Sequence, residues 1–126
     1  MRLGDLAPLY AVSGGKAILA YLPDVMREEY IRSVTFERFT KNTIATKKAL
    51  LATLEDVRKK GFATSMEEFT PGIVGIGVPI LSASAFPLGS LNLAIPAVRY
   101  SSEFGDRAVA ILTASAARIQ RQYFGG

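Results

Sequence analysis

Residues 67–96 read EEFTPGIVGIGVPILSASAFPLGSLNLAIP, a pattern of two strands joined by a loop. Alternate residues of a strand point to opposite faces. Over residues 73–81 this places Val74, Ile76, Val78 and Ile80 in one apolar row, while Gly75 and Gly77 thin out the other. Beyond a loop at residues 82–87 that carries Phe86, Leu91, Leu93 and Ile95 form a second apolar row, and Ser90, Asn92 and Ala94 lie opposite them. If the strands pair, the two small-residue faces share one side of the sheet. Glycine inside a strand marks a bulge or a close approach to the backbone. Two occupants fit the space over Gly75 and Gly77: a small ligand, or a helix packed tightly on the glycines. Pro79 and Pro96 cannot donate to a ladder, so they predict bulges or edges in these strands.

Working outward, Ser101 or Ser102 caps a long helix with Glu103 and Asp106 in its first turn. Phe104, Ala108, Ile111, Leu112, Ser115, Ile119 and Tyr123 form its predicted stripe, which is expected to lie across the sheet. Before the hairpin, residues 62–65 form a short strand candidate. Thr46 caps an amphipathic helix with Leu50, Leu54 and Val57 on one face, Arg58, Lys59 and Lys60 in the last turn, and Gly61 as its stop. Residues 35–46 form a connector with Phe36 and Phe39 as anchors. A second helix starts at Pro23 with Asp24 beside it.

Earlier still, Ser13 is an N-cap with Gly14 and Gly15 in the first turn of a helix that Pro23 ends. The Gly-Gly-Lys is no phosphate loop, because Tyr10 stands where the first glycine is needed and Ala17 where a Ser or Thr is needed. Gly75 and Gly77 likewise fail as a dinucleotide fingerprint, since Ile80 breaks the pattern and no helix follows. What remains is a glycine-rich helix start whose free N–H groups suit a carboxylate or another anion. An ordinary capped helix is the simpler alternative.

The chain has 126 residues, 49% of them hydrophobic and 21% charged, enough for one domain with a true core and too apolar for disorder. No run reaches the roughly 18 apolar residues of a membrane helix. The opening MRLGDLAPLY carries no signal-peptide core, and there are no cysteines, so a cytoplasmic location is expected and a disulfide framework is not. The absence of histidine removes the commonest general base and transition-metal ligand. A net charge of +4 is modest and dispersed. Glu67 and Glu68 are adjacent carboxylates, which suggest acid-base work, but neighbours on a strand diverge, and solvation or a local salt bridge explains them better.

The segments PLYAVSGGKAILAYLP, ERFTKNTIATKKALLATLEDVRKKGFA and EEFTPGIVGIGVPI, followed by the final amphipathic helix, resemble the effector-binding domain of IclR-type bacterial transcriptional regulators. The resemblance covers nearly the whole chain. It implies an α+β fold, a GAF-like antiparallel sheet with helices packed on it, binding a small and often acidic metabolite on the sheet. Carried over by position, Ser13 and Gly14 present backbone N–H groups to a ligand carboxylate. Ser65 stands where some members have a pocket aspartate, Gly75 where some have a cysteine, and Asn92 and Ala94 where some have serines. These departures change the polar inventory that sets ligand specificity.

Against that family pattern, residues 1–126 are expected to be an effector-domain fragment. The winged helix-turn-helix DNA-binding domain and the leading strands of the sensor are not found in the sequence. The expected role is effector sensing and oligomerisation within a transcriptional regulator, without catalysis, cofactor, metal or membrane contact, and with DNA bound only through the winged helix-turn-helix domain. The rival from another class is a small hydrolase or isomerase using Glu67 or Glu68 as base. A third reading is an assembly module, for which a filled sheet face would speak.

Overall fold

The computed structural model describes residues 8–123. A 3-10 turn at Leu9–Ala11 leads into helix α1 (Ser13–Tyr21), followed by α2 (Asp24–Ser33) and α3 (Lys47–Lys60). Then come β1 (Ala63–Met66), β2 (Ile73–Leu81), β3 (Pro87–Pro96), a second 3-10 turn and α4 (Ser102–Tyr123). The three strands form one antiparallel sheet in the order β1-β2-β3. The result is the expected α+β arrangement of helices on an antiparallel sheet.

Register decides what each face carries. Gly75 pairs with Ala94 and Gly77 with Asn92, while on the other strand Ser65 pairs with Gly75 and Ala63 with Gly77. Directly opposed residues share a face, so Gly75, Gly77, Ser90, Asn92 and Ala94 fall on one side, as the alternation of the hairpin implies. The apolar rows coincide too, with Val74 opposite Ile95, Ile76 opposite Leu93 and Val78 opposite Leu91. The ladder shifts register between Ile80 and Leu81, directly after Pro79, and Pro87 and Pro96 bound the outer strand β3. Pro79 therefore lies just before the bulge and beyond the last β1 pair at Gly77, and Pro87 and Pro96 lie on an edge strand, where a missing donor costs least.

Helix α1 covers the small face and α4 packs on β2 and β3. Tyr10, Leu19, Ile31, Leu50, Leu54 and Val57 build the core between α1, α2, α3 and the sheet. On the α4 side Val74, Ile76, Val78 and Ile95 are buried with Ala108 and Ala116. The caps follow the sequence: Ala49 N donates to Thr46 Oγ1 at 3.1 Å, Gly61 closes α3 at φ 85°, and Phe104 N donates to Ser101 Oγ at 3.1 Å. Two details differ. Ser13 is the first helical residue rather than the cap, which is Val12 without a side-chain bond, because Ser13 is drawn down onto the sheet. On α4 the buried line runs through Gly105, Ala108 and Ala116, leaving Ile111 and Tyr123 exposed, since small residues let the helix approach the sheet most closely.

Candidate functional site

The start of α1 meets the sheet where the glycines are. A Cβ on Gly77 would come within 3.0 Å of the Ser13 carbonyl carbon and 3.1 Å of the Gly14 nitrogen. A Cβ on Gly75 would lie 2.9 Å from Ser13 Oγ. Both glycines thus admit the helix terminus, and neither has a positive φ, so closeness rather than backbone conformation requires them. Packing of the helix, together with Asn92 Oδ1 at 2.6 Å from such a Cβ, accounts for Gly77. Gly75 has a second neighbour, because the helix covers only part of the small face.

The uncovered part is a cavity of about 290 Å³, lined by ten residues that include Ser13, Ser65, Gly75, Asn92 and Ala94. That volume is at the small end of the roughly 300–1,000 Å³ usual for small-molecule sites. Five of the six positions singled out in the sequence therefore converge on one space. Gly14 does not line it, and instead abuts Asn92, whose Oδ1 would be 2.5 Å from a Cβ on Gly14. The N-terminal N–H groups of α1 precede the first intrahelical bond, Lys16 N to the Val12 carbonyl at 3.0 Å, and among the described residues they have no backbone acceptor, beside the positive end of the helix dipole. Ser13 and Ser65 are 7% and 6% exposed. Ser65 donates to the Ala11 carbonyl at 3.0 Å, and Asn92 Nδ2 donates to Ser90 Oγ at 3.0 Å.

The rim was not foreseen. Phe69 and Thr70, in the loop between β1 and β2, line the cavity along with Val12, Ile73 and Leu93. The loop is held shut by its own carboxylate, with Gly72 N donating to Glu67 Oε1 at 2.9 Å, which sustains the positive φ of Glu67. It is also strapped from outside: Thr40 Oγ1 donates to the Glu67 carbonyl at 2.5 Å, Thr43 Oγ1 to the Glu68 carbonyl at 2.6 Å, and Asn42 Nδ2 to the Met66 carbonyl at 3.0 Å. Phe39 stands edge-on to Phe69 at 5.0 Å and Phe36 edge-on to Tyr10 at 4.9 Å. Both phenylalanines act as the expected anchors. The Phe-Thr-x-x-Thr spacing was the available signal for the strap, since two threonines three apart in a connector favour side-chain bonds to nearby backbone.

Neither Glu67 nor Glu68 lines this cavity. Glu68 Oε1 pairs with Lys16 Nζ at 2.6 Å, and Glu68 Oε2 accepts from Met66 N at 3.0 Å. Lys16 is only 1% exposed. Burial pushes its ammonium below the ordinary lysine range, and the Glu68 carboxylate opposes that shift in part. Of the adjacent carboxylates, one closes a loop and one neutralises a buried cation. Among the described residues no group of three His, Cys, Asp or Glu is placed to hold a metal, and no described helix is long and apolar enough to cross a membrane.

Residues 1–121 match the family described as Bacterial transcriptional regulator IclR C-terminal. The HTH-type transcriptional regulator KdgR of Escherichia coli strain K12 is 31% identical over 121 residues, 96% of this chain and 46% of that protein. The chain thus spans about half the length of such curated relatives. The crystal structure of the Thermotoga maritima IclR superposes with a TM-score of 0.89 at 32% identity, over 92% of this chain and 47% of that one. The inducer-binding domain of the PobR transcription factor from Acinetobacter, a double mutant solved with 3-hydroxybenzoic acid, superposes with a TM-score of 0.83 at 29% identity, over 90% and 66% of the two chains. With its sheet, helices and sequence all in agreement, this chain belongs to the IclR family of bacterial transcriptional regulators, in the region of their C-terminal domain.

Proposed function

We propose that these residues are the effector-sensing part of a DNA-binding transcriptional regulator, and that the cavity under α1 takes a small carboxylic acid. The observation that carries this is the convergence of Ser13, Ser65, Gly75, Asn92 and Ala94 on one small cavity at a helix N-terminus. The N–H of Ser13, at the positive end of α1, meets the carboxylate, Asn92 orients the ligand, and Ala94 and Gly75 leave room for its body. Relatives support the reading: the PobR inducer-binding domain was solved with 3-hydroxybenzoic acid, and an IclR homologue from Microbacterium hydrocarbonoxydans with 4-hydroxybenzoate. The role is sensing without catalysis, in the cytoplasm, in a homo-oligomer that contacts DNA through a winged helix-turn-helix domain. The outer strands β1 and β3 offer edges for association with further strands.

A thermal-shift screen of carboxylic acids tests the site. A ligand at about 100 times its Kd stabilises the fold by about 2.7 kcal/mol, a rise of several degrees for a domain of this size. Ala94→Leu, which fills the cavity from the outer strand, should abolish that rise, and Asn92→Ala should reduce it. A response unchanged by both variants places the effector elsewhere.

A further inference from the structure

The effector reading leaves the class of acid open, and the lining of the cavity narrows it. None of the ten lining residues is charged. Four contribute polar side chains, the hydroxyls of Ser13, Ser65 and Thr70 and the amide of Asn92; the other six present aliphatic, aromatic or bare backbone surface. Two of the four are already committed. Ser65 has given its only hydrogen to the Ala11 carbonyl, so it faces a ligand with lone pairs alone, which repel a carboxylate and suit a donor. Asn92 spends an N–H on Ser90.

The cation closest in sequence is no help. Lys16 is turned to Glu68 and lines a separate polar cavity with Asp56 and Lys60. Among the described residues, a ligand's charge is therefore met by the α1 terminus, equivalent to roughly half an elementary charge, together with neutral hydroxyls. One carboxylate matches that supply. A second, wherever it is seated against the apolar lining, would find no cation among the described lining residues to face. A polyhydroxy chain fares no better, because hydroxyls set against Val12, Phe69, Ile73 and Leu93 exchange water for surfaces without hydrogen-bonding side chains.

Resting on the effector reading above, we propose that the cavity selects monocarboxylates whose remaining body is apolar, and rejects dicarboxylates and polyhydroxy acids. Calorimetric titration of the protein with benzoate, cyclohexanecarboxylate, phthalate and gluconate tests this. The two apolar monoacids should bind at least tenfold more tightly than phthalate and gluconate. Ile73 lies on the rim and is 37% exposed, so Ile73→Lys can place a cation there without burying it, and should move the ratio of phthalate to benzoate affinity at least tenfold toward phthalate. Equal or reversed order among acids whose binding is lost in Ala94→Leu overturns the selectivity while leaving the effector site standing. Binding that Ala94→Leu does not alter, or no binding by any of the four, removes the effector site and the selectivity together.

Discussion

At the scale of single residues, the buried pair of Lys16 and Glu68 ties the start of α1 to the loop that rims the cavity. A buried ion pair contributes little net stability, but removing one member strands the other at a cost of about 3–5 kcal/mol. Glu68→Gln should therefore destabilise the fold by about 3 kcal/mol in chemical denaturation, while Lys16→Met combined with Glu68→Leu recovers much of the loss. Equal stability of Glu68→Gln and wild type would show that the pair is solvated in solution. Tyr30 supplies a pH signature. Burial raises its hydroxyl from 10.0 to about 12, with smaller opposed effects from Tyr10. Because the folded state holds this proton more tightly, the contribution is complete below pH 10.0 and is lost as pH rises toward 12. Two pKa units correspond to about 2.7 kcal/mol; the ring is half-buried, so solvent screening leaves about 1 kcal/mol. Tyr30→Phe should lose less stability than wild type between about pH 10 and 12. Parallel alkaline curves for the two proteins would remove Tyr30 from that titration.

At the scale of elements, what was legible depended on how locally each was determined. Helix α3 was readable because Thr46, the Leu50-Leu54-Val57 face and Gly61 all act within their own segment. The hairpin was readable because period-two alternation fixes which residues share a face, and its register then follows from the apolar rows. The long helix lies on the sheet as expected, and of its predicted stripe Ala108 is buried and Phe104, Leu112, Ser115 and Ile119 are half-buried, while Ile111 and Tyr123 are exposed. Gly105 and Ala116, which hydrophobic size does not single out, are buried because small residues permit the closest approach. The loop between β1 and β2 was the least legible element. Its shape depends on Thr40, Asn42 and Thr43, some 25 residues away in sequence, and on a positive φ at Glu67 that local composition does not favour. Five cavity positions came from family resemblance plus the small-faced hairpin. Val12, Phe69, Thr70, Ile73 and Leu93 did not, because a cavity wall is assembled from segments whose meeting only the tertiary fold defines.

At the scale of the whole molecule, a family devoted to transcription poses the question of whether these residues touch DNA themselves. Operator recognition needs an exposed helix that enters the major groove, together with several phosphate contacts. Among the described residues the only two short α-helices in succession are α1 and α2. Helix α1 is buried against the sheet, with Ala17, Leu19 and Ala20 fully covered. Helix α2 opens on Asp24 and exposes Glu28 and Glu29, and its Arg27 is held by Asp24 at 2.5 Å and by the Leu22 carbonyl at 2.6 Å. The densest basic group, Arg58, Lys59 and Lys60, lies in the last turn of α3, where carbonyl groups point outward and disfavour phosphate. Lys60 is partly neutralised there by Asp56 at 3.0 Å. A net charge of +4 still attracts a polyanion at low ionic strength, and each phosphate neutralised would contribute about −0.9 to the slope of log K against log salt. These 126 residues should therefore bind DNA weakly, without sequence preference, and only at low salt. Band-shift titrations across salt concentrations, with operator fragments and scrambled controls, measure this directly. Operator-specific retention at physiological salt would show that a recognition surface exists among residues assigned here to sensing.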